Sequence, residues 1–121
     1  MRVPKFRAWD KLGKIILPVG DLDTSYKLVY LEEDNGYRCE RDFDEIELMQ
    51  STGIKDKKGE EIFEGDIVRF TLTDGFDYVV DEEGVVSYKL GAFYVVNGLT
   101  EYLISNINTN EIEVIGNEFE N

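Results

Sequence analysis

The chain has 121 residues, of which 42% are hydrophobic and 12% aromatic, with a formal charge of −13 and no histidine. A chain of this size buries roughly two-thirds of the surface that its unfolded form exposes, so we expect one domain with one core. No apolar run approaches the roughly 18 residues of a membrane helix, and no apolar signal core follows the basic opening Met1–Lys5. These features predict a cytoplasmic protein without a membrane segment.

The lack of histidine excludes the common histidine-based triads and most zinc sites. Cys39 is the single cysteine, so it cannot form an internal disulfide, and we interpret it as a small, partly buried apolar residue. The acid clusters at 21–23, 32–36 and 42–45 lack the ligand spacing of an EF-hand loop. We therefore predict no catalytic residue, no metal and no cofactor.

The charge is unevenly distributed along the chain. Residues 1–19 carry +4, residues 20–52 carry −7, residues 53–70 carry −1 and residues 71–121 carry −9. An acidic surface repels a nucleic-acid backbone, so duplex DNA is not an expected partner, although the basic N-terminal segment is able to touch phosphates. The simplest interpretation is a solvated acidic surface that keeps a small protein soluble.

The first half of the sequence predicts two β-hairpins. Residues 3–9 alternate polar and apolar side chains, the turn Asp10–Lys14 follows with Gly13 suited to a positive φ, and Ile15–Pro18 completes the first hairpin. The second hairpin joins Tyr26–Leu31 to residues 37–39 through Asn35-Gly36, a strong hairpin signal. We expect flexible tips at 20–25 and 32–36.

The second half predicts further short strands. After the ambiguous residues 42–45 a strand begins at about Ile46, and Asp56-Lys-Lys-Gly59 repeats the turn spacing of Asp10–Gly13. The apolar stretches 67–72, 84–90, 92–96, 102–104 and 112–115 then predict five strands, with loops at 73–77, 81–83 and 106–110. This spacing is typical of a small barrel or a meander.

Several motifs, in order, resemble those of the YopX family. They are Phe6–Asp10, Leu48–Asp56, Gly59, Ile62–Val68 and Val114–Asn121, and the resemblance runs from residue 5 to the C-terminus. It implies a phage or prophage protein acting in the host bacterial cell. It also implies a mainly β (α+β) fold in a single domain, with an N-terminal α+β part over 1–61 and an SH3-like small barrel over 62–121. It implies no activity, because none is assigned to the family.

The motif residues are interpreted as structural. They are Trp9, Asp10, Gln50, Gly53, Asp56, Gly59, Gly65 and Asp66. The glycines fall where tight reversals need a permissive backbone, and the aspartates fall at turns where a carboxylate accepts backbone N–H bonds. For Trp9 a core position is favoured over an exposed recognition position.

We expect a non-catalytic module that binds a host or phage protein or itself, as a homo-oligomer, because small β folds expose sheet edges. Two alternatives remain open. One is an acidic nucleic-acid mimic that inhibits a host DNA-binding protein, whose mark would be two rows of acids at phosphate-like spacing. The other is a nucleic-acid-binding small barrel that uses Lys5, Phe6, Arg7 and Trp9.

Overall fold

The computed structural model describes residues 5–33, 35–36, 38–73 and 79–120, so the opening basic residue Arg2 and the predicted loop residues 74–77 lie outside the described part. The chain forms two compact units, unit 1 (Met1–Ser51) and unit 2 (Thr52–Asn121), a division earlier than the one expected after residue 61. Each unit has its own buried cluster, so the expectation of one core is wrong. The reason is that each unit buries the apolar face of its own antiparallel strands.

Unit 1 contains a sheet of antiparallel strands in the order β4-β3-β2-β1-β5. The strands are β1 (Phe6–Asp10), β2 (Ile15–Asp23), β3 (Leu28–Glu32), β4 (Arg38–Asp42) and β5 (Ile46–Lys55). Both predicted hairpins and the strand from Ile46 are confirmed. The predicted tip at 20–25 is wrong for residues 20–23, because β2 continues to Asp23 beyond a register shift at Gly20 and Leu22 lies opposite Val29, whereas residues 24 and 25 do lie in a turn.

The core of unit 1 follows from the alternation of the strands. Its buried members are Ala8, Leu17, Val29, Leu31 and Ile46, with Cys39 packed against them. In β1, Ala8 and Asp10 are buried while Trp9 between them is only half-buried. Trp9 is therefore not a member of this cluster, because its position in the alternation turns it to the opposite face from Ala8, and its core role stays a prediction.

Unit 2 is built on a five-stranded antiparallel sheet in the order β10-β9-β8-β7-β11. The strands are β6 (Glu61–Phe63), β7 (Asp66–Thr73), β8 (Val79–Lys89), β9 (Ala92–Asn97), β10 (Thr100–Leu103) and β11 (Ile112–Asn117), with β6 paired to β5. All five predicted C-terminal strands are present. The predicted loop at 81–83 is wrong because those residues pair with β7.

The five-stranded sheet is open, with β10 and β11 at its two edges, so the described strands of unit 2 do not close into a barrel. Its apolar face buries Ile62, Val68, Phe70, Val86, Val95, Ile104, Ile107 and Ile112. In the described residues the only helices are 3₁₀ helices at Phe43–Glu45, Ile104–Asn106 and Thr109–Glu111. The α-helical component expected in residues 1–61 is therefore not found there, and the predicted loop at 106–110 is largely 3₁₀.

Candidate functional site

Asp10 holds the first hairpin turn to the far strand of its sheet. Its carboxylate accepts bonds from Arg41 Nε at 2.9 Å and Arg41 Nη2 at 3.2 Å, and from the backbone N–H of Leu12 at 3.2 Å. Burial alone would raise the pKa of Asp10, but the hydrogen bond from Arg41 and those from Gly13 and Leu12 outweigh it and lower the pKa. This carboxylate is thus a structural anion with its partners already in place.

Asp56 has the same role in unit 2. Its Oδ1 accepts the N–H of Lys58 at 2.9 Å and of Glu60 at 2.8 Å, and its Oδ2 accepts the N–H of Val114 at 3.0 Å. Burial raises the pKa of Asp56, and the bonds from Val114, Glu60 and Lys58 more than offset this, so the pKa is lowered. The predicted acceptance of backbone N–H bonds is confirmed, and it joins the turn to β11.

Asp66 is the third buried aspartate of the family motif. Its Oδ2 accepts the N–H of Phe63 at 2.8 Å and its Oδ1 accepts Asn117 Nδ2 at 3.2 Å. The N–H of Glu118 donates to the carbonyl of Gly65 at 2.9 Å. These bonds join the C-terminal end of β11 to the turn before β7.

The remaining motif positions are also placed. Gly53, Gly59 and Gly65 have φ of 77°, 84° and 85°, which confirms their assignment to positions that favour glycine. Gln50 is half-buried opposite Phe6. Gly13 does not have a positive φ, so that prediction is wrong. The reason is that the first turn places the left-handed residue one position later, at Lys14 with φ 55°.

The edge of unit 1 at β4 is covered by side chains of the same unit. The N–H of Phe43 donates to the carbonyl of Lys27, just before β3, at 3.1 Å. Because hydrogen bonding alternates along an antiparallel pair, Glu40 and Asp42 direct their backbone groups away from β3. Arg41 Nη1 donates to the Glu40 carbonyl at 3.0 Å, and Glu45 Oε1 accepts the Asp42 N–H at 2.8 Å. Such capping opposes the addition of another strand.

The β11 edge of unit 2 is covered by the Asp56–Glu60 turn. Lys57 N–H donates to the Ile112 carbonyl at 2.9 Å, and Asp56 takes the Val114 N–H. The Lys57 and Lys58 ammonium groups both pair with Glu113, and these hydrogen bonds, led by that of Lys58, lower the pKa of Glu113. The capped edge thus carries its own ion pairs.

The β10 edge has a different character. Two-residue turns flank β9, Leu90-Gly91 before it and Gly98-Leu99 after it, and the leucines are 101% and 105% exposed. Leu90 also has φ 50°, which is costly for a bulky side chain. The sequence pattern had assigned Leu90 to a strand. The sequence feature that indicates both turns is a glycine next to a leucine between two strand-forming stretches.

The outward backbone groups of β10 follow from its turn. In a two-residue hairpin turn the N–H of Thr100 bonds the carbonyl of Asn97, so Glu101 directs its backbone groups away from β9, whereas the carbonyl of Leu103, the next outward residue, begins the 3₁₀ helix Ile104–Asn106. The described hydrogen bonds at Glu101 outside the ladder involve its side chain, which accepts Lys89 Nζ. We call β10, together with the tips Leu90 and Leu99, the open edge.

Unit 1 carries two rows of acids on one face. Asp21 and Asp23 alternate on β2, Glu40 and Asp42 alternate on β4, and the register places Tyr30 between Asp21 and Glu40. Strand geometry sets the rows about 10 Å apart and the acids within a row about 7 Å apart. A depression of about 410 Å³ lies on this part of the unit, lined by Asp21, Leu22, Asp23, Thr24, Tyr30 and Arg38.

The basic N-terminal segment is partly neutralised inside unit 1. Lys11 Nζ lies 3.4 Å from Glu47 Oε1 and donates to the Asp44 carbonyl at 3.1 Å. Among the described residues, no group of three or more histidine, cysteine or acidic side chains is placed to hold a metal ion. The described helices include none long and apolar enough to cross a bilayer.

Comparison with known proteins gives two findings. The model of the family described as YopX protein matches residues 5–121. The crystal structure of protein EF1440 from Enterococcus faecalis is similar with a TM-score of 0.64 and 29% identity, over 100% of this chain and 96% of that chain. No curated protein matches the chain. Because the family match covers nearly the whole sequence, the chain belongs to the YopX family.

Proposed function

We propose that the protein is a non-catalytic protein–protein interaction module that binds its partner through the open edge. The observation that carries the proposal is the contrast between edges. β4 and β11 have outward backbone groups taken by their own units, whereas β10 directs the backbone groups of Glu101 outward beside two fully exposed leucines. Uncapped edges accept partner strands, and exposed apolar side chains add contact area.

The leucine tips make this edge unusual among hairpins. Two-residue turns favour asparagine, aspartate and glycine, and Leu90 at φ 50° is unfavourable both in backbone conformation and in its exposure to water. Burial of the Leu90 side chain in a partner would remove apolar surface from water and so favour binding. A strained and exposed apolar tip therefore supports recognition more than folding.

The strand order of unit 2 supports an SH3-like arrangement, although the sheet is open. In such barrels a meander of four strands is followed by a fifth that returns beside the first, and here β11 returns beside β7 after 3₁₀ helices. Family membership supports an origin in a phage or prophage and action in the cytoplasm of the host cell.

The test is site-specific photo-crosslinking in cells that make the protein. A photoreactive residue at position 99 should give discrete adducts, with one chain of this protein or with another protein. The matched control is position 12, because Leu12 is a turn leucine in unit 1 that is 62% exposed. Equal adduct patterns at both positions, or none at position 99, would contradict the proposal.

A second candidate function is that of an acidic mimic which occupies the nucleic-acid site of a host protein. The observation that favours it is the pair of acid rows on unit 1, formed by Asp21, Asp23, Glu40 and Asp42. The protein should then release host DNA-binding proteins from DNA-cellulose. Amide substitution of all four acids should abolish this release, and unchanged release by that variant would exclude the acid rows as the cause.

A further inference from the structure

We infer that the acid-bordered face of unit 1 docks an extended, arginine-containing segment of a partner protein. This face is the outer surface of β2, β3 and β4, where Tyr30 and Leu28 lie along the centre and the acid rows lie on either side. The inference rests on the second candidate function in taking the acid rows as a binding surface, and it names the chemistry of the partner. It is independent of the open edge.

The alternation of β3 places an apolar strip between the two rows of acids. Val29 and Leu31 are buried in the core of unit 1, so Leu28 and Tyr30 lie on the opposite face, where both are half-buried. Residues directly opposite each other in antiparallel strands share a face, so the register defines two cross-strand triplets. They are Asp21, Tyr30 and Glu40 in the first and Asp23, Leu28 and Asp42 in the second.

The acids of the two triplets lack cationic partners within the chain. Among the ion pairs of residues 5–33, 35–36, 38–73 and 79–120, none includes one of these four acids. Arg41 of β4 is turned to the buried face, where it binds Asp10, and on the acid-bordered face Arg38 pairs with Glu32 at 3.2 Å. Five acids and one base give this face a net charge of −4, which complements a cationic partner.

Backbone hydrogen bonds hold two of the acids in position. Asp21 Oδ1 accepts the N–H of Leu22 at 2.9 Å, and Asp23 Oδ1 accepts the N–H of Ser25 at 3.0 Å. These bonds use Oδ1 of each aspartate, so Oδ2 is available to a partner. The depression of about 410 Å³ is lined by both aspartates and by Tyr30, so a partner side chain that enters it reaches these oxygens.

The arrangement selects a cation with an apolar stem. In the described part of the chain no three acids are close enough to hold a metal ion, and the rows lie about 10 Å apart. An arginine side chain has an aliphatic stem for the strip between the rows and a planar guanidinium that binds carboxylates and stacks on an aromatic ring such as that of Tyr30. Arg38 makes such a contact within this face, since its Nη2 donates to Glu32 at 3.2 Å.

The spacing of the acids selects an extended segment. Alternate side chains of an extended chain are about 7 Å apart, which equals the separation of the acids within one row. A segment that lies along β3 with arginines at alternate positions therefore meets the acids of a row in turn. A nucleic acid does not fit this face, because its phosphates would be repelled by the acids.

The first measurement is the binding of a labelled peptide to the purified full-length protein by fluorescence polarisation. The peptide carries arginines at alternate positions, separated by serines. We expect saturable binding with a dissociation constant of about 10–100 µM, which rises as salt screens the charges. Asp21→Asn combined with Glu40→Gln should raise it about fivefold or more. Glu111→Gln combined with Glu120→Gln is the matched control, because it removes two exposed acids of unit 2 and should leave the dissociation constant nearly unchanged.

The second measurement tests the role of the Tyr30 ring. A peptide with lysine in place of arginine should bind the wild type more weakly, because an ammonium group lacks the planar fork that pairs with a carboxylate and stacks on a ring. Tyr30→Leu, which keeps the apolar strip, should remove this preference for arginine, whereas Tyr30→Phe should keep it. Urea unfolding establishes that both variants are folded, and a preference that persists in Tyr30→Leu would overturn the role of the ring.

The remaining outcomes separate the occupants and the two proposals. Equal weakening by the two double variants, or displacement of the peptide by an equal concentration of spermidine, would overturn the docking of a segment. Self-association of the protein that is lost in the first double variant would instead make a second copy the occupant.

The release of host DNA-binding proteins from DNA-cellulose completes the comparison. A protein that does not bind the peptide but still causes this release through the four acids overturns the extended segment and leaves the second candidate function standing. A protein that binds the peptide as expected without any release supports the docking face and removes nucleic-acid mimicry. Failure of both measurements removes both proposals.

Discussion

Removing the Asp56 carboxylate should destabilise unit 2 through β11. In Asp56→Ala the half-buried N–H of Val114 loses its acceptor, while the N–H groups of Lys58 and Glu60 lie in an exposed turn and can bond water instead. An unsatisfied buried N–H costs about 1–3 kcal/mol, and loss of the charged acceptor in the turn adds to this, so we expect roughly 2–4 kcal/mol in total. Asp56→Asn should cost about half as much, because its amide oxygen can still accept both turn N–H groups.

Urea unfolding and amide exchange at Val114 measure this effect. The folded-state pKa of Asp56 lies below its ordinary value, so its contribution is present above the unfolded pKa and is lost as pH falls through the folded value. The difference in unfolding free energy between wild type and Asp56→Asn should therefore shrink below about pH 4. A difference that stays constant from neutral to acid pH, or unchanged exchange at Val114 in Asp56→Ala, would refute the assigned role.

Three further expectations concern stability and nucleic acid. Arg41→Met leaves the Asp10 carboxylate buried without its cation and should cost about 3–5 kcal/mol in urea unfolding, whereas Arg38→Met, which breaks an exposed pair, should cost about 0–1 kcal/mol. Gly65→Val, at φ 85°, should cost roughly 3 kcal/mol while the exposed Asp21→Ala costs almost nothing, so equal melting temperatures for the two variants would contradict this. In a gel-shift titration the protein should not bind duplex DNA appreciably at physiological salt because of its charge of −13, and sub-micromolar binding by a stable monomer would instead favour the DNA-binding alternative.

The motif residues are explained mainly by folding. Asp10, Asp56 and Asp66 each satisfy backbone groups at a turn, and Asp56 also closes a sheet edge. Because these residues form recognisable sequence patterns, they are the first candidates for functional residues when only the sequence is considered. The residues that carry the proposed interaction, Leu90 and Leu99, belong to no such pattern, since a leucine in a turn gives no signal of exposure until the turn is placed.

The sequence by itself determined the features that depend on neighbours along the chain. Alternating side chains located the strands, and the Asp-x-x-Gly spacing located two turns, because strand period and turn chemistry are local properties. The sequence did not determine which residue of a turn is left-handed. A positive φ was predicted at Gly13 but occurs at Lys14, because a turn can shift by one residue without changing its composition.

Only the tertiary structure decided which strands meet and which edges remain open. Asp10 and Arg41 are 31 positions apart in the sequence, and Asp56 and Val114 are 58 apart, so no local sequence pattern predicts either contact. Such contacts depend on register, and a shift of one residue would turn every side chain of a strand to the other face. The same register separates the buried Ala8 from the half-buried Trp9, and it leaves β10 uncapped while β4 and β11 are covered.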